Sequence, residues 1–381
     1  MKKLNKIALA MLASQVAVTS HLMAEESDEV TVKTKGGLVI EAGEYSVQLG
    51  GRIQFDYNYA TLNDVADEDD FGIRRARIYV KGDIGDDWSY KAQFNVGENN
   101  GGSPEDLYIS YGGWGKAANL TIGKQKVQFG LEEVTSSKDI TALERSGMTE
   151  QYAAGRQNSV RLHGELGGAF YSVSAFEDGD ATGDDFGLAG RVAFNPINDD
   201  NMLVHVGLGY ISRGESSRRG GYQSGLCSDP SRPCLPLGSS RGGGGDSTAT
   251  GIELAANMGS FSIQSEFFDS EENGVDRDGY YVQASYILTG ETRPYKGGKF
   301  KKVKPQSDSG AWEVFARIEE GDGNHSDIEL GRVDASAYTI GVNYYVNNAV
   351  RIGVNYSEGD SNEAGSMDSG DEFRVRFQLA Y

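Results

Sequence analysis

From Tyr45 onward, apolar positions recur every second residue. In Tyr45-Ser46-Val47-Gln48-Leu49-Gly50-Gly51-Arg52-Ile53-Gln54-Phe55-Asp56-Tyr57-Asn58-Tyr59 the odd positions are apolar or glycine and the even ones polar or glycine. Such a period predicts a strand whose two faces meet different surroundings. The alternation returns in Trp88–Val96, Met202–Tyr210, Phe261–Phe267, Tyr280–Leu288, Trp312–Ile318, Tyr338–Val346 and Val350–Tyr356. Breaks rich in Gly, Asp and Asn, such as Asp83–Asp87 and Val346–Ala349, read as tight turns. Longer polar segments, for example Glu358–Glu372, alternate with them. Short turns on one side and long loops on the other predict an all-β, antiparallel transmembrane barrel.

At roughly ten residues per strand and about as many per connection, residues 45–381 fit about sixteen strands, enough to enclose an aqueous channel. The chain ends on Phe373-Arg374-Val375-Arg376-Phe377-Gln378-Leu379-Ala380-Tyr381, with Phe373, Val375, Phe377, Leu379 and Tyr381 on one face. That resembles the closing strand of bacterial outer-membrane proteins. At the other end, Met1-Lys2-Lys3-Leu4-Asn5-Lys6, an apolar run from Ile7 to Val18 and Leu22-Met23-Ala24 have the order of a secretory signal peptide, residues 1–24. Residues 25–44 are acidic and then mixed, a periplasmic lead-in or part of a first strand. Beyond the signal no apolar run approaches the ~18 residues of a membrane helix. Strands must therefore do the spanning.

Composition agrees: 52 glycines, 20 tyrosines and 15 phenylalanines suit strands, turns and aromatic interface girdles. A large secreted β-sandwich or β-helix is the competing soluble reading. The balance of 36 basic and 56 acidic residues, formally −20, speaks against a nucleic-acid partner. The apolar face of the strands would instead meet outer-membrane lipid and lipopolysaccharide.

If the polar face lines a channel, parity puts Arg52, Arg75, Arg77, Lys91, Arg161, Arg191, Arg317, Arg351, Arg374 and Arg376 on its wall. The acidic residues concentrate in the loop segments Asp64–Asp70, Glu177–Asp185, Glu271–Asp278 and Glu358–Glu372. A basic wall lets an acidic protein conduct small anions such as phosphate, because field focusing in a pore depends on local groups. Alternatively these arginines pair with Asp56, Glu253, Glu266 and Glu313 on the same wall. Arg75 and Arg77 form a row with Tyr79 and Lys81, while Arg74 sits near the rim; such a row binds phosphate oxygens, or lipopolysaccharide, or a neighbouring subunit.

The stretch Leu120–Ser146 begins as a strand and then turns polar, with Ser136, Ser137, Lys138, Glu144 and Arg145 close together. We expect it to fold into the barrel mouth, over about residues 130–153, and to narrow the pore. Lys296, Lys299, Lys301, Lys302 and Lys304 form a second basic cluster, either a funnel at one pore end or a solvated loop. Cys227 and Cys234 are expected to form a disulfide in an external loop. His163, His205 and His325 are isolated and no nucleophile motif is present, so neither an enzyme nor a cofactor or metal is expected.

Several segments carry a family resemblance. They are Gly123-Lys124-Gln125-Lys126-Val127 with Phe129-Gly130-Leu131-Glu132, Thr135-Ser136-Ser137-Lys138-Asp139 and Glu144-Arg145-Ser146, Arg74-Arg75-Ala76-Arg77-Ile78-Tyr79, Glu105-Asp106-Leu107-Tyr108-Ile109, Gly310-Ala311-Trp312-Glu313-Val314 with Arg317, and the terminal strand. Together they resemble the phosphate-selective porin O and P family. The resemblance implies a homotrimer of sixteen-stranded outer-membrane channels passing phosphate or polyphosphate. It makes Arg75 and Arg77 anion-guiding residues, alongside Arg52, Arg161, Arg317, Arg374 and Arg376, and Lys138 the constriction lysine beside Ser136, Ser137 and Arg145. One departure matters: between Leu131 and Ser146, Glu132, Glu133, Asp139 and Glu144 outnumber Lys138 and Arg145. Were Glu132 and Glu133 to face the lumen, the pore would be a general or cation-preferring one. The expectation is a passive, anion-preferring outer-membrane porin; the other class of function is a non-conducting surface receptor or adhesin.

Overall fold

The computed structural model describes residues 30–34, 37–97, 102–178, 186–199, 202–214, 222–223, 236–237, 247–272, 275–324, 332–363 and 366–381. The signal segment, Cys227, Cys234 and His325 lie outside the described residues.

Sixteen of the strands close into an antiparallel barrel. In chain order they are β3 (Tyr45–Leu62), β4 (Val65–Ile84), β5 (Trp88–Asn95), β6 (Ser103–Tyr111), β7 (Asn119–Lys126), β8 (Arg156–Leu166), β9 (Ala169–Glu177) and β10 (Phe186–Asn198). They continue with β11 (Met202–Arg213), β14 (Ser247–Met258), β15 (Phe261–Glu272), β16 (Val275–Ile287), β17 (Ala311–Asn324), β18 (Arg332–Tyr345), β19 (Val350–Glu363) and β20 (Ser366–Ala380). Each pairs with the next, and β20 pairs back onto β3 from Ala380↔Arg52 to Gly370↔Leu62. Closure removes every free sheet edge, which a barrel in lipid requires because hydrocarbon offers backbone amides no partner.

The four remaining strands are short. β1 (Thr31–Lys33) pairs with β2 (Leu38–Ala42), and β2 lies on β3 through Leu38↔Leu49 to Ala42↔Tyr45, below the point where β20 ends. β12 (Tyr222–Gln223) and β13 (Pro236–Leu237) form a separate two-residue ladder.

The period-two pattern maps onto the two faces. On β3, Gln54, Asp56 and Asn58 are enclosed on the inner face, whereas Ile53, Phe55, Tyr57 and Tyr59 are exposed on the outer one. At the short-turn end, outward rings cluster as Trp88–Tyr111–Trp114 and as a stacked Trp312–Tyr344 pair with centroids 4.4 Å apart. Tyr57, Tyr59, Tyr280, Tyr338 and Tyr356 stand toward the other end, so aromatic rings flank the apolar band as at two membrane interfaces.

The connections 127–155 and 288–310 depart from simple turns or surface loops. Residues 127–155 between β7 and β8 carry two short helices, α1 (Leu131–Val134) and α2 (Gly147–Tyr152), packed against inward-facing side chains. At the opposite end, Leu288–Gly310 is long for a short-turn position and folds up along the inner wall. Its Phe300 is buried with Leu131, Leu203 and Ala255, and Arg293 lies 4.0 Å over the Phe300 ring. The lysine cluster therefore lies on a segment seated against the wall.

Strand crossings leave little room at some glycines. A Cβ on Gly82 would fall 1.8 Å from the Ser46 carbonyl oxygen, whereas one on Gly190 meets nothing within 4 Å. Gly82→Ala is expected to destabilise the barrel by about 1–3 kcal/mol, the usual cost of overpacking, and Gly190→Ala to leave thermal unfolding in detergent nearly unchanged. Equal melting of the two variants would contradict the packing at the β3–β4 seam.

Candidate functional site

The inner wall has two characters. On β9 to β15 its inward positions include Phe176, Ala189, Ile211, Ala249 and Phe268, and these pack with Val127, Phe129, Met148 and Tyr152 of the 127–155 segment. The Phe268 ring lies 5.8 Å from Phe129 and 5.0 Å from Tyr152. Phe267 beside it faces outward, so both faces are apolar there and the alternation is lost. Gly130, at φ +83°, turns the chain inward; the Leu131 and Glu132 amides then donate to the Glu266 carboxylate at 2.5 and 2.9 Å. An apolar seam and a capping carboxylate thus fix one side of the segment.

The other side is held by polar groups. Arg351 donates to the carbonyls of Ile140, at 2.7 Å, and Thr141, which Asn343 also reaches at 2.9 Å. Arg317 donates to the Glu144 carbonyl at 3.0 Å, Arg376 to that of Leu143, and the Gly147 amide to Glu319. The Glu144 carboxylate is surrounded by Arg74, Arg75, Arg374 and Arg376. Burial would raise this carboxyl, but Arg74, Arg75 and Arg376 outweigh it and hold it well below the usual carboxylate range.

The two acidic residues that cast doubt on anion passage are engaged by the segment and the adjoining wall, Glu132 standing 3.8 Å from Arg317. Glu132 accepts from the Ser146 amide at 2.8 Å and the Thr149 hydroxyl at 3.2 Å; Glu133 pairs with Lys126 at 3.2 Å and Arg145 at 3.1 Å. Arg145 also pairs with Glu150 at 3.1 Å and donates to the Thr135 carbonyl at 3.0 Å.

Of the residues singled out in the sequence, Arg317, Arg374 and Arg376 are thus committed to the loop or to carboxylates. Arg77 shares Glu105 with Arg156, at 2.5 and 3.1 Å; Asp106 pairs with Arg156 at 2.7 Å and with Lys91. Arg52 donates to the Ser137 hydroxyl at 2.7 Å. Among the described residues, Arg52, Arg161 and Lys299 have no carboxylate within ion-pair distance, and all three line one cavity of about 180 Å³ with Ser136 and Tyr108. Around it, among the described residues, Arg52, Arg77, Lys91, Lys126, Arg156, Arg161 and Lys299 face Glu105 and Asp106, with Glu133 and Asp139 nearby, an excess of positive charge. Burial first, then Lys301, Arg161, Arg191 and Lys91, bring the Lys299 ammonium down to about 7. Lys138 lies outside this cavity, its carbonyl accepting from Gln378 at 3.2 Å. Lys299 belonged to the second lysine cluster, but nothing local in the sequence sends Leu288–Gly310 inward. His163 and His205 are wall residues, bonded to Thr121 at 3.1 Å and to Glu253 at 3.0 Å.

The model of the phosphate-selective porin O and P family matches residues 47–381. Porin O of Pseudomonas aeruginosa is 32% identical, over 98% of this chain and 97% of that protein. Among solved structures, the anion-selective porin from Comamonas acidovorans superposes with a TM-score of 0.59 at 14% identity, covering 89% of this chain and 100% of that one. The trimer form of in-vitro folded OmpT from Vibrio cholerae does so with a TM-score of 0.57 at 12% identity, covering 88% and 99%. These two likenesses concern the fold.

A depressed carboxyl contributes stability that is present above its unfolded value, about 4.3, and is lost only as pH falls through the lower folded value. Grip on Glu144 should therefore be unchanged from pH 7 to pH 5. Hydrogen exchange of residues 140–147 is expected to stay constant over that range after correction for intrinsic rates. Loosening near pH 5 would contradict the four-arginine environment.

Proposed function

The chain belongs to the phosphate-selective porin O and P family and is an outer-membrane porin, and from that premise we propose that its pore passes phosphate-class oxyanions by diffusion, with selection at the cavity of Arg52, Arg161 and Lys299. The observation carrying this reading is the set of three cations without carboxylate partners facing one enclosed space. An anion entering it exchanges hydration water for guanidinium and ammonium donors, with the Ser136 and Tyr108 hydroxyls close by. Glu105 and Asp106 temper the site. By sharing Arg77, Lys91 and Arg156 they keep the attraction weak enough for release, which conduction needs as much as entry.

The 127–155 segment, pinned across the lumen, would set the narrowest passage, and Leu288–Gly310 would bring Lys299 to it from the other end. The formal −20 of the chain does not oppose this, because local groups dominate the field in a narrow space. The engagement of Glu132 and Glu133 by cations and donors of the segment and the adjoining wall supports anion over cation preference. Family membership and the trimer form of the Vibrio cholerae neighbour favour a homotrimer set in outer-membrane lipid and lipopolysaccharide. The role is that of a channel and asks for no catalytic group.

Block of chloride current by phosphate in planar bilayers tests the site. Arg161→Gln and Lys299→Gln should each weaken the block about tenfold, equivalent to about 1.4 kcal/mol, whereas Lys138→Gln should change it less. Since Lys299 loses its proton as pH rises through about 7, block by sulfate, whose own charge is constant there, should be stronger at pH 6 than at pH 8. Unaltered block in both variants would overturn the assignment.

A further inference from the structure

The surroundings of Glu144 are those of a bound anion. Arg74 reaches its two carboxylate oxygens at 2.9 and 3.2 Å, and Arg75 forms a fork at 3.0 and 2.8 Å. Arg376 contacts the first oxygen as well while also holding Asp56 at 2.6 Å, and Arg374 stands 3.5 Å from it while pairing with Glu372 at 2.8 Å, so Arg74 and Arg75 supply the forks committed to Glu144. Paired guanidinium donors of this kind recognise carboxylate and phosphate alike. Among the described residues Glu144 is the only carboxylate in ion-pair reach of Arg75.

Two further features bear on what this cage can do. Arg74 and Arg75 line a second cavity, about 380 Å³, on the long-loop side, together with Arg77, Lys124, Arg145 and Arg156 and with Glu105, Glu133 and Glu150, six basic groups against three carboxylates. Moreover, the chain around Glu144 has its own anchors, since the Leu143 and Glu144 carbonyls accept from Arg376 and Arg317 and the Gly147 amide donates to Glu319. None of these backbone contacts uses the Glu144 carboxylate.

We propose that the cage of Arg74, Arg75, Arg374 and Arg376 is an oxyanion-binding site kept filled by the tethered carboxylate of Glu144, and that an entering phosphate-class anion exchanges with it. The first half stands on the geometry of the cage; only the arrival of permeating phosphate rests on the function proposed above. Tethering gives Glu144 a high local concentration. Only an anion that satisfies several guanidinium forks at once displaces it. Chloride, a single charge with no paired oxygens, is a poor competitor, and a tetrahedral oxyanion is a good one. Glu144 thus acts as a specificity-determining residue by competing for the site.

The test has two arms, both on the full-length mature protein. In planar bilayers Glu144→Gln, which keeps the shape but removes the competing charge, should tighten phosphate block from the long-loop side about tenfold. Phosphate block that is unchanged or weaker in this variant would count against the proposal. Crystals of the unaltered protein soaked in selenate supply the second arm and need no variant to fold. An anomalous peak among Arg74, Arg75 and Arg376, with the Glu144 side chain turned away, is the expected result. A peak confined to Arg52, Arg161 and Lys299 would overturn the exchange while supporting the proposed pore site. Selenate in the cage combined with phosphate-insensitive current would do the reverse, upholding the exchange and removing the proposed function.

Discussion

A polar chain segment enclosed by a barrel must find a partner for every amide, carbonyl and carboxylate it brings inside, because each one left unpaired costs about 1–3 kcal/mol or more. That requirement organises the lumen of this protein. The segment from Val127 to Gly155 meets most of it with an apolar seam on β9–β15, the Glu266 carboxylate under its first helical amides, and arginines under its carbonyls, leaving Glu132 Oε1, Asp139 Oδ1 and Gln151 Oε1 without a hydrogen bond among the described residues. Arginine suits this task because it stays charged and offers several donors in a fixed plane. A large share of the basic wall is therefore scaffold.

What is left over carries the proposed site. Once Arg317, Arg351, Arg374 and Arg376 are assigned to the loop and to carboxylates of the wall, Arg52 and Arg161 remain with Lys299 beside one cavity. Selectivity of this kind depends on the difference between neighbouring cations and carboxylates. It is a local excess, here moderated by Glu105 and Asp106; the acidic stretches 64–70, 271–278 and 358–372, expected as loops, are largely the extended ends of β4, β15, β16, β19 and β20. An acidic protein with a basic passage is consistent on these terms.

Much of the fold was legible in the sequence because a barrel wall obeys a two-residue period: the strand over Tyr45–Tyr59, the turn at Val346–Ala349 and the closing strand ending at Tyr381 all follow from it. The period failed around Phe267–Phe268, where loop packing makes the inner face apolar too. Parity also put Arg75, Arg317, Arg374 and Arg376 on the inner face, since that depends only on local alternation; it set Arg74 near the rim, whereas the register shift between Ile73 and Arg75 brings Arg74 in to Glu144 at 2.9 Å. It could not divide them into scaffold and free cations, because that division depends on contacts such as Arg75 with Glu144, distant in sequence. The lysine cluster at 296–304 was visible as charge. Its inward course depends on Phe300 meeting Leu131 and on Gly298 accepting from Arg191 at 2.8 Å, and no local pattern announces either.

The central proposal is that the cluster of Arg52, Arg161 and Lys299, without carboxylate partners among the described residues, governs permeation despite the formal −20 of the chain. The most direct measurement is the zero-current potential of the purified protein in a planar bilayer under a potassium chloride gradient. The account predicts a potential of the sign set by chloride, reduced in the Arg52→Gln, Arg161→Gln, Lys299→Gln triple variant. A potential set by potassium, or one that the triple variant leaves unchanged, would contradict it.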